Sequence, residues 1–126
     1  MSVKRTERGW AGHFICAERC LFRRNTLLEL GDVAIVVSTV GAMRPLGRER
    51  GKPETIGHCR YYETMAFHAH KDGAYVEADV MRGELSFDSP WMLDRWEDED
   101  IDVQANNMHE AVVAEISERM VTGRMP

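Results

Sequence analysis

The sequence predicts a single α+β domain, an antiparallel β-sheet of about five or six strands with one C-terminal α-helix packed on one face. Three observations carry this expectation. Val33-Ala34-Ile35-Val36-Val37-Ser38-Thr39-Val40 is β-branched and apolar on both faces, the pattern of an internal strand. Asp72-Gly73 stands between two alternating segments, and an Asp-Gly pair supplies the positive φ that a tight hairpin needs. Beyond Val103 the apolar period changes from two to three and four: Ala105, Met108, Val112, Ile116 and Met120.

Taken in order, residues 1–11 are polar until Gly9-Trp10 and are expected to be poorly ordered. His13 to Cys16 is a short β-prone piece, and Cys20 to Leu30 leads into a turn at Gly31-Asp32. Residues 41–54 combine glycines, prolines and basic charge, so a mobile basic loop is expected there. Arg60 to His70 and Ala74 to Arg82 then form the hairpin. With Asp72-Gly73 as its two-residue loop, His70 faces Tyr75, His68 faces Glu77 and Phe67 faces Ala78. Alternation places Met65, Phe67, Ala69, Val76, Ala78 and Val80 on a core side. It leaves Tyr62, Thr64, His68, His70, Tyr75, Glu77 and Asp79 on a wet side. Glu84 to Phe87 reads as a short strand ended by Asp88-Ser89-Pro90, and the acidic stretch after Trp91 as a loop. The helix spans about Val103 to Met120, capped by Asp102 or Asn106 and stopped by Thr122-Gly123.

The chain has 126 residues, 44% of them hydrophobic and 29% charged, which suits one compact domain and excludes wholesale disorder. No apolar run approaches the roughly 20 residues of a membrane span, and nothing at the N-terminus reads as a signal peptide. A cytoplasmic protein, without membrane contact, is the expectation. Three cysteines (Cys16, Cys20 and Cys59) make a poor disulfide framework and are expected as thiols.

The net charge of −5 divides unevenly: residues 1–60 carry +5 and residues 61–126 carry −10. Basic charge gathers at Arg48, Arg50 and Lys52. Acidic charge gathers at Asp94 to Asp102, six acids in nine residues, with Trp91 and Trp96 beside it. Attraction between the two halves of a solvated fold accounts for such a split. So does a dipolar surface whose acidic patch, Glu97, Asp98, Glu99 and Asp100 with Trp91 and Trp96 as anchors, docks on a basic partner. Direct nucleic-acid binding is disfavoured by the acidic total.

Catalytic signatures are incomplete. His68 and His70 lie two apart on one strand with Glu77 and Asp79 across from them, a ligand set suited to Zn or Fe, although wet sheet faces also carry such pairs structurally. His13-x-x-Cys16-x-x-x-Cys20 with His58-Cys59 has one thiol pair where closed zinc sites need two, so core packing of the thiols is the simpler reading. His109-Glu110 is half of a zincin motif, but Val113 occupies the second histidine's place, and the metalloprotease reading fails. Phosphate-binding loops and Gly-x-Ser-x-Gly elbows are missing.

Several segments resemble a family of small bacteriophage, prophage and plasmid proteins. They are Arg8-Gly9-Trp10-Ala11-Gly12-His13-Phe14, Cys20-Leu21-Phe22-Arg23-Arg24-Asn25-Thr26-Leu27-Leu28, Val36-Val37-Ser38-Thr39-Val40-Gly41, Arg60-Tyr61-Tyr62-Glu63-Thr64-Met65, Phe87-Asp88-Ser89-Pro90-Trp91 and Met108-His109-Glu110-Ala111-Val112-Val113-Ala114-Glu115. The resemblance implies a mobile-element setting and carries over no catalytic residue. By analogy of setting it suggests a non-enzymatic antagonist of host defence, of the anti-CRISPR type. The partner would be a host protein or protein–nucleic acid complex, and a homodimer is compatible with the same reading. Two further classes stay open. One is a metal-binding protein or metal-dependent enzyme using His68, His70, Glu77 and Asp79. The other is a module that sequesters a nucleotide-like signal through the basic loop and stacked aromatics.

Overall fold

A computed structural model describes residues 2–8, 20–43, 53, 61–72, 75–80, 92–93 and 100–123. They form β1 (Lys4–Glu7), β2 (Cys20–Leu30), β3 (Val33–Met43), β4 (Tyr62–Asp72), β5 (Tyr75–Val80), β6 (Met92–Leu93) and α1 (Ile101–Thr122). Neighbouring strands run β1-β2-β3-β4-β5, every pair is antiparallel, and β6 pairs with β4. An antiparallel sheet with one C-terminal helix bears out the α+β expectation.

The apolar run at 33–40 is internal, as its two-faced pattern requires: Ile35, Val36, Val37 and Val40 are all buried. Gly31, at φ +59, turns β2 into β3, where an L side chain would be strained. β3 continues past the predicted end through Gly41, Ala42 and Met43, all buried, so the loop expected over 41–54 begins no earlier than residue 44. These residues stay in the ladder because Phe22, Gly41 and Tyr62 lie in one cross-strand row. The two rings meet edge to face at 6.4 Å, and a Cβ on Gly41 would overlap the Tyr62 ring. Residues 44–52 and 54–60 lie outside the described residues.

The N-terminus also differs from expectation. Lys4–Glu7 pair along β2 as an exposed edge strand instead of trailing in solvent. Cross-strand ion pairing to β2 and α1 holds this polar segment in place, and apolar patterning gives no sign of it.

The hairpin at β4–β5 exists, but its ladder closes on Asp72 opposite Tyr75, one residue later than Asp72-Gly73 predicts. Each β4 residue therefore meets a partner two positions further on: His68 faces Asp79 and His70 faces Glu77. The assignment of its faces needs a larger correction. The helix covers the side read as wet, where Tyr62, Thr64 and Ala66 are 3%, 1% and 0% exposed. Phe67, Leu27 and Val36 bury a separate cluster on the opposite side, with Met65 and Ala69 against it. Alternation separates two faces, but it does not say which one a distant helix will cover.

α1 begins at Ile101 after Asp100, with Asp102 inside its first turn, and ends at Gly123 in the left-handed region. Its buried stripe contains every residue the period predicted, together with His109 and Val113. The C-terminal half packs Val112, Val113, Ile116 and Met120 on Leu28, Ile35, Val37 and Ala66. The N-terminal half packs Ala105 and Met108 on Ala42 and Tyr62. Within the described residues, no helix is long and apolar enough to cross a membrane.

Candidate functional site

Between those two apolar clusters the helix sets down a histidine. His109 is wholly buried, and both ring nitrogens are bonded: Nε2 to Thr26 Oγ1 at 2.7 Å and Nδ1 to Thr39 Oγ1 at 2.7 Å. Thr39 Oγ1 in turn lies 2.7 Å from Thr64 Oγ1. Register brings the three threonines together. Thr39 and Thr64 are directly paired, and Thr26 lies one row along on the same face of β2. All three are almost fully buried.

The chain of contacts reaches the surface at β1. Thr26 Oγ1 donates to Glu7 Oε1 at 2.9 Å. The same oxygen accepts from Arg5 Nε, Arg5 Nη2 and Arg24 Nη2. Glu110, next to His109 on the helix, receives both guanidiniums, Arg5 at 2.9 Å and Arg24 at 2.8 Å. Arg24 also donates to Asn106 Oδ1 at 2.7 Å. Two arginines and two carboxylates from β1, β2 and α1 thus cross-pair over the outer end of the relay, beside an open groove floored by Val3, Leu28 and Val113.

Environment sets the protonation states. Burial, reinforced by the Arg24 charge, pushes His109 down to about 4, so its imidazole is neutral near pH 7. The Arg5 hydrogen bond, opposed by partial burial and helped by Arg24, holds Glu110 at about 2. Partial burial works against the Glu7 carboxylate, but donors from Arg5, Arg24 and Thr26 outweigh it and its pKa falls below the ordinary value. Glu7 is therefore an ionised, acceptor-only end.

That end dictates the direction of every bond in the relay. Thr26 spends its single hydrogen on Glu7, so it accepts from His109 and Nε2 carries the ring proton. Nδ1 is then the acceptor, Thr39 donates to it, and Thr64 donates to Thr39. Each hydroxyl and both ring nitrogens are satisfied in one tautomer. With no nitrogen left over and no exposure, His109 organises the interior and does not meet a substrate in this arrangement.

Of the predicted site residues, the described ones are not part of this network. Arg48, Arg50, Lys52, Trp91, Trp96, Glu97, Asp98 and Glu99 lie outside the described residues, as do His13, Cys16, His58 and Cys59. Asp100 stands exposed at the start of α1, where its Oδ1 accepts from Gln104 Nε2 at 2.7 Å. Cys20 is a buried thiol at the start of β2. The backbone sets His68 opposite Asp79 and His70 opposite Glu77, while the side chains of His70, Glu77 and Asp79 are outside the described set. Among the described residues no group of three or more His, Cys, Asp or Glu could hold a metal ion. Sequence reading weighed His109 only as half of a zincin motif and set Thr64 on a wet face, whereas both are buried in this network. The signal was there, since position 109 follows Ala105 by four and precedes Val112 by three, placing a histidine inside the apolar stripe. Scanned against models of protein families, curated proteins and solved structures, the chain matches none.

Proposed function

We propose that this chain is a non-enzymatic binding protein, of the kind encoded by phages and other mobile elements, that inhibits a host defence complex in the bacterial cytoplasm, as anti-CRISPR proteins do. The observation that carries the reading is the charge polarity. Six acids in nine residues, at 94–102, lead directly into a helix fastened to the sheet by two apolar clusters and a buried relay. Asp100 and Asp102 belong to that helix start, so this end of the acidic tract has a rigid support. Acids held at a helix start, as Asp100 and Asp102 are, lower the ordering cost of docking and speed encounter with a basic groove, such as one that normally holds nucleic acid. Trp91 and Trp96 would supply apolar anchors, and Arg48, Arg50 and Lys52 a second contact of opposite sign.

The test is phage plating on bacteria with active CRISPR interference, with and without the protein. Restored plating that is lost when Glu97, Asp98, Glu99 and Asp100 become lysines supports the reading. Unchanged plating across the major interference types, with folded protein present in the cells, overturns it.

A second reading draws on the observed register, which sets two His–acid pairs, His68–Asp79 and His70–Glu77, in alternate positions of one ladder, on either side of Ala69–Ala78. That juxtaposition favours a Zn or Fe site on the hairpin. Elemental analysis of purified protein decides it: one metal per chain, lost in His68→Ala and His70→Ala, is the expected result.

A further inference from the structure

β1 is the terminal strand of the path β1-β2-β3-β4-β5. Arg8 N–H donates to Asn25 O at 2.7 Å, which makes Arg8 and Asn25 a hydrogen-bonded pair of the β1–β2 ladder. Such pairs alternate along an antiparallel ladder, so Thr6 and Lys4 also direct their backbone groups at β2. Arg5 and Glu7 therefore direct theirs outward, and all four residues of the strand are exposed. A strand edge of this kind is a template for another strand.

Charge then selects the occupant and the register. We propose that two copies of this chain associate through β1 about a two-fold axis at Thr6, joining their sheets edge to edge. In this antiparallel register Arg5 of each copy lies opposite Glu7 of the other, and Thr6 faces Thr6 across the axis. The outward groups of Arg5 and Glu7 form four backbone hydrogen bonds between the copies. Moving the axis to Arg5 would set two arginines face to face, which like-charge repulsion disfavours. Glu7 is ready for the contact: its internal donors all converge on Oε1, and among the described residues Oε2 has no partner. Its side chain is 46% exposed and that of Arg5 37%, so both are within reach of a neighbour. The two Arg5–Glu7–Arg24–Glu110 clusters then merge into one ion-pair row across the join, an isologous interface of the commonest symmetry.

Sedimentation equilibrium of the full chain over a wide concentration range reads the association. The expected result is a reversible monomer–dimer equilibrium. Thr6→Lys opposes two cations at the axis and leaves Arg5, Glu7 and their internal partners untouched; it should weaken the dimer by about fivefold. Thr6→Cys gives a geometric test. A non-hydrogen-bonded antiparallel pair brings its Cα atoms to about 4.5 Å, within disulfide range. Mild oxidation should crosslink Thr6→Cys into a dimer that the unsubstituted chain, with its native cysteines, does not form. A chain that stays monomeric at every concentration overturns the proposal. So does a dimer whose affinity Thr6→Lys leaves unchanged and in which Thr6→Cys fails to crosslink.

Discussion

The two ends of the surface beneath α1 and its middle are made of opposite chemistries. At the C-terminal end, Ile116, Val112 and Met120 meet Leu28, Ile35 and Val37, a contact with no direction that rewards only area and fit. In the middle, His109, Thr26, Thr39 and Thr64 meet through hydrogen bonds whose donors and acceptors have a single consistent order. The apolar ends could shift slightly and repack at a cost set by fit alone. The middle could not, because any displacement strands buried polar atoms, each costing about 1–3 kcal/mol. We infer that the ends supply most of the stability and the middle fixes the register of helix on sheet.

The largest expected effect breaks the apolar side. Ile116→Ala should cost about 2–5 kcal/mol in denaturant unfolding, since Ile116 is fully buried in a cluster that includes Leu28, Ile35, Val37 and Ala66 of three strands. A loss well under that range would mean the helix is held chiefly by its polar middle.

Acid tests the middle. Below about pH 6.5 the unfolded chain takes up a proton at position 109 that the folded chain refuses until about pH 4. The stability contributed by the neutral imidazole is thus complete above 6.5 and lost as pH falls through that window, by about 3 kcal/mol in total. The carboxylates of Glu7 and Glu110 act in the same direction, but only below the ordinary carboxylate range. Unfolding free energy measured between pH 7 and 4 should fall in the native chain and stay nearly level in His109→Leu. A parallel decline in both would assign the acid sensitivity to other groups.

Thr39→Val sharpens the comparison with a near-isosteric change that leaves Nδ1 and the Thr64 hydroxyl without partners. A loss of about 1–3 kcal/mol is expected, with greater variation in the helix amide signals than Ile116→Ala produces. The smallest effect lies at the surface end of the relay. Glu110→Gln should cost less than about 1 kcal/mol and lose even that in high salt, because the pairs it makes with Arg5 and Arg24 are partly solvated.

Much of the frame is legible in the sequence by itself. The β-branched run at 33–40, the turn at Gly31-Asp32, the hairpin after His70 and the apolar stripe on α1 each follow from local chemistry, because side-chain period and turn residues act over a few neighbours. The ladder shift to Asp72–Tyr75 shows the limit of that locality. A two-residue loop centred one position later preserves the alternation, so the pattern of apolar residues is equally satisfied by both.

Tertiary structure decided which side of β4 lies under the helix, that Lys4–Glu7 forms an edge strand, and that His109 joins three threonines. All three depend on contacts between residues far apart in the chain: Arg5 with Glu110, Thr26 with His109, Thr39 with Thr64. A histidine in an apolar stripe announces a buried polar group, and a threonine in a strand is an ordinary β-former. Only when the sheet register and the helix placement are known do their hydrogen bonds meet, because donor and acceptor geometry is a property of positions in space and leaves no period along the chain.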